Sequence, residues 1–72
     1  METKFNIYTQ IVVNGQTSLS LIETATMDQL VQELNMANQQ RDQMIEMAAL
    51  SQKKVDLATA AAKNNQTDII MQ

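Results

Sequence analysis

The sequence predicts an α+β fold, an N-terminal β-hairpin followed by one long amphipathic α-helix, on three observations. Residues 4–23 alternate apolar and polar side chains on either side of Asn14-Gly15, the period-two pattern of half-buried strands about a tight turn. Residues 26–65 contain neither Pro nor Gly and are filled with Leu, Met, Ala, Gln, Glu and Lys, types that lose little on entering a helix. Within that stretch apolar or small residues recur every three or four positions, which gives one sticky face. The chain is therefore read as one small domain over 1–72: hairpin 4–23, helix 26–65 and tail 66–72.

In the hairpin, Phe5, Ile7, Thr9, Ile11 and Val13 alternate with Asn6, Tyr8, Gln10 and Val12, and Leu19 and Leu21 alternate with Ser18 and Ser20. A two-residue turn would pair Ile11 with Ser18 and set Leu19 and Leu21 away from Ile7 and Ile11. A three-residue loop, Asn14-Gly15-Gln16, or a bulge of the same effect, aligns Phe5, Ile7, Ile11, Val13, Leu19 and Leu21 on one face. The longer loop is the expectation. On that reading Leu21→Ala costs about 2–5 kcal/mol, as for a buried leucine.

Thr24 and Thr26 are both candidate helix caps, and Thr26 has Gln29 three residues on and Asp28 in the first turn, the pattern of a capping box. A continuous helix would run about 57 Å at roughly 1.5 Å per residue. Positions 30, 34, 37, 41, 44, 48, 51, 55, 58 and 62 follow the four-three spacing of a coiled-coil seam. Asn35-Met36-Ala37-Asn38 and Ser51 are its weak points. Met47, Leu50, Leu57 and Ala61 widen the apolar face in the second half. Asn64 and Asn65 suit the helix end, since Asn tolerates the left-handed conformation. The tail, with Ile69-Ile70-Met71, is either unordered or docked on its own hairpin or a neighbour.

With 72 residues, no Cys and only 17 Leu, Ile, Val and Phe, the chain has neither disulfides nor a large core to hold it. Self-association is the remaining common route to stability. The sequence therefore predicts a homo-oligomer, a dimer or higher, with the long helices antiparallel and an interface of Leu30, Leu34, Ala37, Arg41, Met44, Ala48, Ser51 and Val55. In that register Leu30 stacks on Val55, Leu34 on Ser51, Ala37 on Ala48 and Arg41 beside Met44, and Glu33 nears Lys54 of the second chain. Acidic Asp28, Glu33, Asp42 and Glu46 in the first half face Lys53, Lys54 and Lys63 in the second, which selects the antiparallel direction.

Catalysis is poorly served. There is no His and no Cys, so acid–base work would fall to carboxylates or lysines. Asp42 and Glu46 lie one helical turn apart, but nothing completes a di-metal pattern around them. A single Gly excludes a phosphate-cradling loop. No enzyme activity, cofactor or metal is expected. A net charge of −3 with scattered acids argues against nucleic-acid binding and against mimicry of it. The cluster Lys53, Lys54 and Lys63 more simply complements a helix C-terminus. No apolar run is long enough to span a membrane and no leader pattern opens the chain, so a cytoplasmic protein is expected. Six methionines offer an adaptable surface for partners.

The segment from Met27 to Leu50, through Leu30, Leu34, Ala37, Asn38, Gln39, Gln40 and Arg41, resembles helical stretches of small accessory proteins of tailed phages and lambda-like prophages. It covers about a third of the chain, and it departs from them where the helix turns Ala-rich. The resemblance implies a phage origin and a host-directed binding role in the host cytoplasm, and it brings no functional residues. Three classes of function compete: a self-assembling interaction protein, an inhibitor that occupies a host enzyme or defence complex, and an enzyme or nucleic-acid binder, which composition disfavours. The first is the reading preferred from sequence.

Overall fold

The computed structural model describes residues 2–71; Met1 and Gln72, the ends of the expected domain and tail, lie outside the described residues. Strand β1 spans Lys4–Val13, β2 Gln16–Thr26, helix α1 Met27–Gln39, α2 Ile45–Lys63 and strand β3 Asp68–Met71. The sheet runs β2-β1-β3, with β1 antiparallel to β2 and parallel to β3. The fold is thus α+β, but the single helix after a hairpin is replaced by two helices and a third strand.

The hairpin turns on two residues, not three. Asn14 and Gly15 both take positive φ, 53° and 78°, which matches the right-handed twist of the strands, and Val13 pairs directly with Gln16. The register problem is met lower down. Ile7 pairs with Glu23 and Tyr8 with Leu21, so Ile22 is the extra residue of a bulge. Below it, Ala25 and Glu23 share the face of Phe5 and Ile7. Above it, Leu21 and Leu19 join the opposite face with Tyr8. The expected alignment of the leucines with Ile7 and Ile11 therefore fails: the bulge realigns only the base of the hairpin.

Thr26 caps α1. Its hydroxyl accepts from the Gln29 backbone N–H at 3.2 Å, and the Gln29 side-chain oxygen accepts from the Thr26 N–H at 2.9 Å, so two of the orphan donors of the first turn are satisfied. The helix stops after Gln39. Gln40 (φ −117°, ψ 34°) and Met44 (φ −134°, ψ 41°) leave helical geometry, while between them the Met44 N–H donates to the Gln40 carbonyl at 2.9 Å. A helix-like turn between two bent residues thus reverses the chain, and it needs no Gly, Pro or left-handed residue.

The physical reason is coverage. A continuous helix leaves its second half in water, whereas folding back buries Leu30 and Ala37 of α1 and Ala48, Ser51 and Ala58 of α2. The reversal falls between Arg41 and Met44, the midpoint of the antiparallel register expected between chains. Glu33 and Lys54 meet at 3.0 Å within one chain, so the second half of the same helical stretch takes the place of a partner.

Helix α2 ends at Asn64 and Asn65, the latter at φ 54°. The Gln66 N–H reaches the Ala61 carbonyl at 2.8 Å and the Asn65 N–H the Ala62 carbonyl at 3.2 Å, the paired bonds of a left-handed helix stop. This stop sends the tail onto β1. Of the readings left open for the tail, docking on its own hairpin is the one observed. Ile69 pairs with Ile7 and Met71 with Thr9, and both are buried.

Phe5, Ile7, Ala25, Leu30, Ala58, Ala61, Ile69 and Met71 form the core, with Met27, Val55 and Leu57 packed against it. The helical layer covers only the base of the sheet: Ile11 and Val13, on the face of Ile7, are exposed. Ile7→Ala is expected to cost about 2–5 kcal/mol, as for a fully buried large side chain. Leu21→Ala, at a site 54% exposed, is expected to stay within about 0.5 kcal/mol. Urea denaturation of the two variants checks both values, and equal losses would contradict the bulge-set faces.

Candidate functional site

Between Lys4 and Glu23 the chain carries no charged residue. In the structure Phe5 and Ile7 of this stretch lie in the core, and residues 10–22 form the upper part of the hairpin, an arm that the helical layer leaves uncovered. Its outer face, away from the helical layer, is ordered in rows. Thr24, Asn6 and Asp68 form a polar row at the base: the Thr24 hydroxyl donates to the Asn6 side-chain oxygen at 3.2 Å, and the Asn6 amide donates to Asp68 at 3.1 Å. The next row, Leu21, Tyr8 and Ile70, is apolar across all three strands, and Leu19 stands beside Gln10 above it.

On the arm Ile11, Val12, Val13, Leu19, Leu21 and Ile22 are 41–66% exposed. Scattered apolar residues on a surface need no explanation, but so many gathered on one element, Val12, Leu19 and Leu21 on its outer face and Ile11 and Val13 on its inner face, mark a contact surface. The helical tip exposes a looser set, Met36, Ile45 and Met47, among Asp42, Glu46 and Arg41.

The arm is fixed to the body by Lys54. Its ammonium lies 2.6 Å from Glu23 of β2 and 3.0 Å from Glu33 of α1, so one side chain of α2 ties the other helix and the bulged strand. Glu23 faces inward because the bulge puts it on the face of Ile7. A hydrogen bond with the Glu33 carboxyl, then the Lys54 ammonium, hold the Glu23 carboxyl below its ordinary pKa against the opposing effect of burial. Burial, then the same carboxyl–carboxyl contact, push Glu33 up. For Lys54 burial pulls the pKa down, but the two carboxylates outweigh it and the value is raised. Both carboxylates are partly in water, so the cluster orients the elements more than it stabilises them.

The eight residues expected at an oligomer interface are divided. Leu30, Ala37, Ala48 and Ser51 are buried, Leu34, Met44 and Val55 half-buried, and Arg41 exposed in the turn; the chain's own helices cover the seam. Asp42 lies in the turn and Glu46 in the first turn of α2, both exposed. Lys53, Lys54 and Lys63 form no basic face, because Lys54 points inward to its two acids. Among the described residues no group of three or more acidic, His or Cys side chains is placed to hold a metal, and no helix is long and apolar enough to cross a membrane. The arm is not visible as a surface from alternation alone, because alternation marks opposite faces whether or not either is buried. The absence of charge from Phe5 to Ile22 was the signal that could have found it.

Comparison with family models, with curated proteins and with solved structures finds no match.

The raised Lys54 pKa makes a signed prediction. Its contribution is complete below the ordinary lysine value and is lost as pH rises through the higher folded value. In acid, Glu23 and Glu33 act in opposite senses, so the alkaline limb is the cleaner one. Denaturation from about pH 9 to about pH 12, across the lysine value of about 10.4, is expected to show a steeper loss for the wild type than for Lys54→Met. Parallel curves would contradict the tie.

Proposed function

We propose that this protein is a non-enzymatic interaction protein that meets its partner through the uncharged hairpin arm. The observation that carries this is the arm itself: six large apolar side chains in water on an element that the core leaves uncovered. Exposed apolar surface of this kind is retained at a cost in solubility unless it is covered in use. The backbone of β2 adds main-chain donors and acceptors along its free side, so the arm offers both parts of strand-addition recognition, hydrogen bonds from the edge and specificity from alternate side chains. The helical seam, used up within the chain, is the weaker candidate surface. Supporting the non-enzymatic part are the absence of His and Cys and the single Gly.

The test is affinity capture with a tagged chain as bait, from lysate and from untagged chain. Val12→Lys/Leu19→Lys alters the arm at residues 66% and 51% exposed, and Met36→Lys, at 66%, alters the helical tip. A stoichiometric protein is expected on the wild type and on Met36→Lys and to be lost from the arm variant. Capture that survives the arm variant and is lost with Met36→Lys would overturn the reading, as would no captured protein either from lysate or from untagged chain supplied at up to about 1 mM.

A further inference from the structure

We infer that the partner of the arm is a second copy of this chain, joined by antiparallel pairing of the two β2 edges about Leu19. This rests on the reading of the arm as the contact surface. Within the sheet, β1 is flanked on both sides, and β3 is a short edge of four residues that carries Asp68. Strand β2 is different: eleven residues long, with no strand on its outer side among the described residues. Natural edges are guarded by lysines, prolines or inward charges. From Gln16 to Ile22 none of these is present, and the bulge at Ile22 limits regular pairing to Gln16–Leu21.

Side chains select the register. With Leu19 opposite Leu19 of the second copy, Thr17 falls opposite Leu21 on the outer face, and Ser18 opposite Ser20 on the inner face. Each row then meets its own kind, apolar or methyl-bearing against apolar and hydroxyl against hydroxyl. A slip of one residue sets leucines opposite serines. Because the two edges are the same segment, the contact is isologous and closes at two copies.

Charge points the same way. All five basic and eight acidic residues lie outside Phe5–Ile22, so two chains of net charge −3 can meet where neither carries any. Glu23, the first charge along β2, stands four residues from Leu19, about 13 Å at roughly 3.3 Å per residue. The two copies of Glu23 are thus held more than two Debye lengths of about 8 Å apart. A partner bearing an acidic or basic strand would find no counter-charge on the arm.

The paired segment is short and buries less than the about 800 Å² per partner of a standard interface, so association at micromolar concentration and dissociation on dilution are expected. Sedimentation velocity of the full chain from about 1 µM to about 1 mM reads it directly. The expected result is a mass moving from 8.1 kDa toward twice that value, with amide exchange slowing as concentration rises at Thr17, Leu19 and Leu21, the alternate residues of β2 whose N–H groups face away from β1. Leu19→Lys places two ammonium groups across the axis and is expected to weaken dimerisation at least tenfold, while Met36→Lys leaves it unchanged. Thr17→Lys, on the same face and also exposed, serves if Leu19→Lys folds poorly. A monomer at every concentration overturns the inference, as does a dimer that both arm variants leave intact. A monomer that captures another protein through the arm overturns the second copy as partner and leaves the proposed function standing.

Discussion

Helices α1 and α2 pack along a seam rich in small side chains, and the other elements rest on this pairing. Ala37, Ala48, Ser51 and Ala58 are buried in it or beneath it, and small residues let helix axes approach closely. The reversal at Gln40–Met44 returns α2 alongside α1, so that its far end, at Ala58 and Ala61, lies over Ile7 and Ile69. It also brings Lys54 to Glu33 and Glu23 at once, and it delivers the tail to β1 as a third strand. Without the reversal, none of these three contacts could form inside one chain.

The same arrangement explains why so much apolar surface stays outside. A pair of helices is wide enough to cover the base of a three-stranded sheet, and the molecule is thin, 39 × 33 × 16 Å, about two layers deep. The strands are longer than that cover. Ile11 and Val13 continue the buried face of Phe5 and Ile7 with nothing above them, and the bulge at Ile22 turns Leu19 and Leu21 to the side that no helix reaches. The arm is therefore a consequence of strand length and one extra residue.

Local features were legible in the sequence and the long-range ones were not. Thr26 with Gln29, Asn14-Gly15 and Asn64-Asn65 each determine structure within a few residues, and each sits at a cap or turn. The break after Gln39 carries no local signal: Gln40, Arg41, Asp42, Gln43 and Met44 have ordinary helix-compatible chemistry, and the turn uses only negative φ. It is a tertiary effect, favoured because the two halves cover each other. The seam and its antiparallel sense were readable from spacing and charge, Glu33 to Lys54 included, but periodicity cannot say whether the facing helix belongs to another chain. The arm was misread for a related reason. Alternation reports that side chains take opposite faces, whereas burial depends on what lies above each face, which is set by the reach of α1 and α2.

The fold depends on the helices being partners within one chain. Zero-length carbodiimide coupling of Lys54 to Glu33, whose charged groups are 3.0 Å apart, tests this in a mixture of unlabelled and isotope-labelled chains. The structure predicts that the coupled peptides are wholly light or wholly heavy, even at concentrations where the chains associate through their arms. Coupled peptides of mixed label would place Lys54 against Glu33 of a different chain and contradict the fold-back.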